Sequence, residues 1–447
     1  MLRLVSLSGV LVILAILLVC SKNRRAIRWR LVGTGLAIQL VLGLTFLSWQ
    51  GGRDGVSYLG DRVKEFLGQS AEGTKFIFGP LADFKMVEGA FTANDKVDAQ
   101  TGLNYAVYRD AYLERNARGN AKRDIGFVFA TQVLPTLIFF SSFMAVLYYL
   151  GIMQRIVQLM AAVMARLLGT SGSESLSACG NIFVGQTEAP LMVKPYLPRM
   201  TQSEIHAVMT GGYCTIAGGV FALYVAYGVP AGHLMVASVM AVPAGLVCTK
   251  MMWPETEASE TMGKVVTTAR SESRSVVEAA ASGAADGLKL ALNVGAMLIA
   301  FLGLVAVINW GFSAVQVGGA PLTLERMLGW LFFPVAAVMG VQSSEIGILA
   351  ELLGKKIVLT ELLAYKDLGP MIQKHEISPR TGMIASFALC GFANLGSIAI
   401  QIGGLSVMAP GRQSEIATLA VRAMWTGALA TCMTACVAGA LGSEAGG

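Results

Sequence analysis

Charge is scarce in this 447-residue sequence: Asp, Glu, Lys and Arg together make up 14% of it. Soluble globular chains carry about 25%, so the usual charged outer surface cannot be built. Histidine is rarer still. The three residues, at positions 206, 233 and 375, are not spaced as metal ligands, which argues against a zinc centre. No Cys-x-x-Cys pair occurs among the seven cysteines (20, 179, 214, 248, 390, 432 and 436), and most lie in or beside apolar segments. They read as small hydrophobes, with Cys432 and Cys436 a helical i, i+4 packing pair and no disulfide framework. A phosphate-binding loop is missing too. Gly354-Lys355 lacks the upstream glycine spacing, and Lys356 stands where Ser or Thr is needed. ATP-driven pumping is therefore not expected, which leaves an ion gradient as the energy source. The excess of six positive charges is spread along the chain and forms no nucleic-acid-binding face.

What is abundant is apolar sequence: 54% of residues are hydrophobic, and the mean hydropathy is +0.61. Leu4–Val19, Leu31–Leu47, Phe127–Leu150, Met235–Cys248, Leu288–Trp310 and Ala423–Leu441 each approach the roughly 20 residues that cross a bilayer as a helix. Two further stretches, around 205–230 and 381–409, are interrupted by glycine and polar residues. The first apolar block is followed, not preceded, by the basic cluster Lys22, Arg24, Arg25, Arg28 and Arg30, and no small-residue cleavage site is evident. It reads as an anchor running from outside to inside, because basic residues stay on the cytoplasmic face. Residues 50–124 then form a polar external segment with an amphipathic piece at Tyr58–Leu67. A Ser/Thr/Glu/Ala-rich linker, Trp253–Gly287, is expected to hold an amphipathic helix on the membrane surface.

That linker separates two similar halves. The first carries Gly185-Gln186-Thr187-Glu188-Ala189-Pro190-Leu191, a polar turn at Pro198–Glu204, a helix interrupted by the Gly/Thr run 210–219, and a closing span. The second carries Thr360-Glu361, a turn around Gln373–Pro379, a helix interrupted by Cys390-Gly391-Phe392-Ala393-Asn394-Leu395-Gly396-Ser397, and a closing span. Internal repeats with glycine-broken helices in matching places are a signature of secondary transporters, whose binding site lies where the repeats meet. The expected fold is an all-α integral membrane protein with about eight transmembrane helices and two re-entrant hairpins in inverted repeats, plus interfacial helices. Its parts would be N-terminal scaffold helices (1–168), a first transport repeat (169–250), an interfacial linker with a scaffold helix (251–325), and a second transport repeat (326–447).

Glu188 and Glu361 stand out, because a carboxylate in the hydrocarbon region costs at least a few kcal/mol and usually faces a cavity. The bland alternative for Glu361 is neutralisation by Lys355, Lys356 or Lys366. Gln186, Thr187, Asn394 and Ser397 add donors and acceptors beside glycines, and unwound backbone at membrane depth is tolerated where it lines a cavity. Such a site suits an uncharged, hydroxyl-rich ligand. Phe392 either stacks on a flat ring or simply packs. Asn181, the Val184 carbonyl and the Thr215 hydroxyl are either hard oxygen ligands for a small cation or interhelical glue.

Several motifs resemble one family. Gly180-Asn-Ile-Phe-Val-Gly-Gln-Thr-Glu-Ala-Pro-Leu191 is similar to the signature hairpin of the concentrative nucleoside transporters. So are Phe127-Val-Phe-Ala130, Gln132–Phe140, Leu147–Met153, Gly73–Gly79 and Cys390–Asn394. The resemblance implies a homotrimer in a bacterial inner membrane that takes up nucleosides by cation symport, sodium favoured over proton, through an elevator-like movement. It implies that Gln186, Thr187 and Glu188 face the nucleobase and that Phe392 contacts it. Glu361, Asn394 and Ser397 would hold the ribose, and Asn181, Val184 and Thr215 the sodium ion. No catalytic cofactor and no polymeric nucleic acid enter this picture. The chain departs from the family pattern at Thr360, where Asn is usual, and in a longer stretch near 83–124. A carrier of another polar solute on the same fold is the alternative, and an intramembrane enzyme using Glu188 and Glu361 lacks a nucleophile or metal set.

Overall fold

A computed structural model describes residues 1–78, 113–115, 121–123, 129–132, 134–264, 273–317 and 319–442. Most of the stretch near 83–124 and the Phe127-Val128 part of one motif therefore lie outside the described residues.

The chain begins with α1 (Leu2–Cys20) and α2 (Trp29–Gly43), the latter prolonged by a wide turn at Leu44–Ser48. Both are apolar all round and only about a third or less buried (28% and 33% of their apolar windows), as suits helices facing lipid. The polar segment opens with α3 (Gln50–Gly68) and α4 (Ser70–Phe78). Only Gly52, Gly60 and Leu67 of α3 are buried, which fits a helix lying along the edge of the bundle. After a single turn at Phe129–Gln132 come α5 (Leu134–Tyr149) and α6 (Ile152–Leu168), with axes 76° apart. The bend sits at Gly151, whose φ of 75° is left-handed and cheap only without a Cβ. Along α6 the buried positions Met153, Val157, Ala161 and Leu168 form one stripe while Arg155 and Arg166 stay exposed.

The first repeat follows. Its hairpin has one helical arm, α7 (Gly172–Gly180), opened by a capping box in which Ser171 and Glu174 satisfy each other's backbone N–H. The chain then leaves helical geometry at 181–188 and returns through short 3-10 turns at Ala189–Val193 and Leu197–Arg199. A second capping box, Thr201 with Glu204, starts α8 (Gln202–Cys214). Extended backbone at Thr215–Ala217 breaks this span before α9 (Gly218–Ala226), and α10 (Ala231–Met252) closes the repeat.

The linker gives a correction. Val276 to Gly287 is not a separate surface helix but the first third of α11 (Val276–Phe312), which is 37 residues long. Gly283 and Gly287 let it approach α5 closely, since a Cβ at either would collide with Ser141 or its neighbours, and Ser142 donates to the Ala280 carbonyl. Ala279 is buried in this part of the helix while Val276 is exposed.

α12 (Leu324–Ala337) leads into the second repeat: hairpin arms α13 (Ile346–Val358) and α14 (Glu361–Gln373), then α15 (Pro379–Ala388), a break at Leu389–Asn394, α16 (Leu395–Met408) and the closing α17 (Gln413–Leu441). Three crossings (α8/α9, α10, α11) separate the two hairpins, so the second starts from the opposite side and the repeats are inverted. With α1, α2, α5, α15/α16 and α17 the spans number eight among the described residues. The core lies where α8, α10, α15 and α17 meet: every residue from Ser203 to Cys214 is buried. Two short antiparallel hairpins are the β-structure among the described residues. The fold is all-α, as expected.

Candidate functional site

All seven residues singled out as substrate ligands line one cavity of about 360 Å3, formed by the two hairpin tips and the two helix breaks. That size falls within the usual range for small-molecule sites.

At one end is Glu361, 4% exposed. The Tyr224 hydroxyl donates to its Oε1 (3.0 Å) and the Asn394 amide Nδ2 to its Oε2 (3.0 Å). The Asn394 amide cannot be reversed, because its Oδ1 caps α16 by accepting from the Ser397 backbone N–H (2.8 Å). One asparagine therefore fixes a helix start and orients the carboxylate. None of the three nearby lysines pairs with Glu361 among the described residues. Lys355 pairs with Asp367 (2.7 Å), Lys366 is exposed, and Lys356 points to backbone carbonyls. Neutralisation by a direct lysine partner is thereby set aside. Thr360 is the N-cap of α14, its Oγ1 accepting from the Leu362 N–H (3.1 Å).

Gln186 joins the repeats. Its Nε2 donates to the Ser397 hydroxyl (3.2 Å), and its Oε1 accepts from Gln401 Nε2 (3.2 Å), which also donates to the Met209 carbonyl (3.0 Å). A Cβ at Gly212 would strike Gln186 and Gln401, so glycine there lets the first hairpin seat against α16. Thr187 is half-buried. Glu188 is exposed where Glu361 is buried; it lines the cavity, its side chain folded over Gly185. Phe392 is half-buried in the second break, and a neighbouring glycine makes that break possible. Gly391 has φ 103°, and any Cβ on it would collide with the Tyr213 carbonyl and Cys214. The two breaks cross at this point.

Asn181 and Thr215 do not line the cavity, whereas Val184 does. Both converge on Gly211: Thr215 Oγ1 donates to the Gly211 carbonyl (2.8 Å), and a Cβ on Gly211 would meet the Asn181 amide nitrogen. Asn181 Nδ2 donates to the Ser177 carbonyl (3.0 Å). Asn181 Oδ1 and Ser177 Oγ are buried without a hydrogen-bond partner. Orphaned buried oxygens beside a helix break are a donor set that a small hard cation satisfies.

Comparison with known proteins agrees with this geometry. Family models described as the N-terminus and C-terminus of Na+-dependent nucleoside transporters match residues 8–81 and 233–439, and a nucleoside-recognition model matches 130–231. An uncharacterized transporter of Haemophilus influenzae is 40% identical over 97% of this chain and 96% of its own length. The mouse sodium/nucleoside cotransporter 1 is 39% identical over 98% of this chain. The chain belongs to the concentrative, sodium-dependent nucleoside transporter family. It spans 64% of the length of the mouse relative. The structure of CNTnw in an inward-facing, substrate-bound state superposes with a TM-score of 0.85 at 41% identity, covering 99% of this chain and 100% of that one. A CNTnw variant in an outward-facing state matches equally well, with 99% and 98% covered. This is a family of membrane transporters, not of enzymes.

For a transporter of this family, sequence reasoning passed over four groups that complete the cavity or its walls. Tyr224 binds Glu361 and packs against Tyr365 in a tilted ring pair with centroids 4.4 Å apart. Gln401 braces Gln186. The Tyr148 hydroxyl is buried without a partner, and Tyr148 lines the cavity, as does Asp286. Tyr148 falls within the Leu147–Met153 motif, the one signal that pointed to it.

Proposed function

We propose that this protein takes up nucleosides across a bacterial inner membrane by sodium symport, as a homotrimer working through an elevator-type movement. The observation that carries the reading is the single cavity shared by Gln186, Thr187, Glu188, Glu361, Phe392, Asn394 and Ser397. Its Glu361–Asn394–Tyr224 end presents anionic and amide groups suited to the vicinal hydroxyls of a ribose. The Gln186–Ser397 end, with Phe392 and Thr187 alongside, offers amide edges and an aromatic face suited to a flat base. Glu188, exposed at the opening, accepts from a base N–H. Asn181, Val184 and Thr215 supply oxygens for the travelling sodium ion, and the orphaned Asn181 Oδ1 favours that assignment.

An elevator movement is supported by the bonds across the repeats. Gln186 to Ser397, Gln401 to Gln186 and Tyr224 to Glu361 tie hairpins and broken helices into one unit that carries the whole site. Sparsely buried α1 and α2, with exposed Leu4, Leu11, Val19 and Val41, suit a stationary frame in lipid.

Uptake of radiolabelled uridine and adenosine into proteoliposomes, under an imposed sodium or proton gradient, tests the reading. Accumulation is expected with sodium. Asn181→Ala should raise the sodium concentration needed for half-maximal uptake. If neither nucleoside accumulates under either gradient, the proposal fails; if a proton gradient alone drives uptake, the sodium assignment fails.

A further inference from the structure

Lys356 is the most fully buried cation among the described residues, 1% exposed in the last turn of α13. Its Nζ donates to the Ala388 carbonyl (2.8 Å), the Cys390 carbonyl (3.1 Å) and the Thr431 hydroxyl (2.9 Å). Thr431 Oγ1 also lies 2.9 Å from the Ala428 carbonyl, which can take its proton and leave an oxygen lone pair facing the lysine. The three oxygens around Nζ match the three donors of an ammonium.

Its position has a counterpart in the first repeat. Ala388 ends α15 and Cys390 lies in the break, so the ammonium sits on carbonyls that the interrupted helix leaves without helical partners. In the first repeat the residue at the end of the first hairpin arm is Asn181, and it meets α8 near its own break, at Gly211. There the arm brings no charge and leaves Asn181 Oδ1 and Ser177 Oγ orphaned. In the second repeat the arm brings its own cation. Lys356 also stands five residues before Glu361, within electrostatic reach of it though not paired with it. A buried carboxylate without a compensating cation is costly, and this ammonium compensates it while leaving both carboxylate oxygens to Tyr224, Asn394 and ligand.

We propose that Lys356 is a tethered cation that takes, in the second repeat, the place the coupling ion takes in the first. It holds the α15/α16 break and Glu361 ready for substrate without an exchangeable ion. Lys356 is a positioning residue: it acts through the break and through Glu361. The comparison with the first repeat rests on the sodium assignment proposed above; the role of the ammonium does not.

The test is equilibrium nucleoside binding to purified full-length protein, with methylammonium as the probe. Lys356→Ala leaves an oxygen-lined hole and Lys356→Met fills it without charge. Both should weaken binding about tenfold or more, the value of charge-assisted hydrogen bonds. Methylammonium should restore most of the affinity of Lys356→Ala and none of that of Lys356→Met. Binding by Lys356→Ala within about twofold of the parent, the margin of non-interacting sites, overturns the proposal. So does a loss that methylammonium repairs no better than in Lys356→Met. Should Lys356→Ala not fold, Lys356→Arg, which keeps the charge, must bind clearly tighter than Lys356→Met, and equal binding overturns the proposal. If the parent binds nucleoside independently of sodium, the ion assignment falls while the rescue result still decides the role of Lys356.

Discussion

Replacing Glu361 by Gln isolates the charge of the cavity's anionic end while keeping its shape. In the parent both carboxylate oxygens accept, one from Tyr224 and one from Asn394. The Asn394 amide is locked by its cap to Ser397, so in the variant the new amide oxygen must turn to Asn394 and the new NH2 must face Tyr224. The tyrosine hydroxyl can rotate to accept that proton, so both contacts survive as neutral hydrogen bonds and the hairpin stays closed. What disappears is charge assistance. Hydrogen bonds to a charged group contribute about 1.5–3 kcal/mol against about 0.5–1.5 for neutral ones. One substrate hydroxyl bound by the carboxylate would then lose about 1–2 kcal/mol, roughly 5- to 30-fold in affinity. A second hydroxyl on the same carboxylate would double the energetic loss. The assay is nucleoside binding by the purified variant beside a thermal melt in the same detergent. Affinity unchanged within about twofold in a variant that melts like the parent would refute the assignment of Glu361 to the ligand.

Gly391→Ala puts a Cβ on a residue with φ 103° and into the Tyr213 carbonyl. It should cost about 3 kcal/mol or more, visible as a lower melting temperature together with lost uptake. Thr360→Val keeps the shape but removes the oxygen that caps Leu362. It should cost about 1 kcal/mol of stability and leave nucleoside affinity unchanged. An affinity loss of about tenfold would instead make Thr360 a ligand.

The binding residues were legible because bilayer physics makes polar groups beside glycine conspicuous in apolar sequence. Gln186, Asn394 and Ser397 sit beside or near glycines that mark helix breaks, and the repeat paired the two breaks. Tyr224 carried no such mark: in an apolar nine-residue helix one tyrosine reads as packing, and only folding brings it to Glu361. Gln401 was hidden likewise, alone on an apolar span. The direction of Lys356 was out of reach of spacing arguments, since the groups it binds lie 32 to 75 residues further along the chain. The linker was misjudged because Ser282, Asp286 and Lys289 interrupt the hydropathy of what is one continuous helix. Hydropathy alone does not separate buried Glu361 from exposed Glu188, since both sit in apolar sequence.

Asn394 has both ends of its amide committed, one to the start of α16 and one to Glu361. Such a residue is a poor place for a lineage to experiment. Any replacement that altered the sugar contact would also unseat a helix, so diversification of cargo should run through neighbours with a spare face. Thr187, half-buried on the first tip, and Phe392, half-buried in the break, can change size or polarity without releasing another bond of the frame. A designer seeking a different cargo would start with those two and leave the asparagine alone.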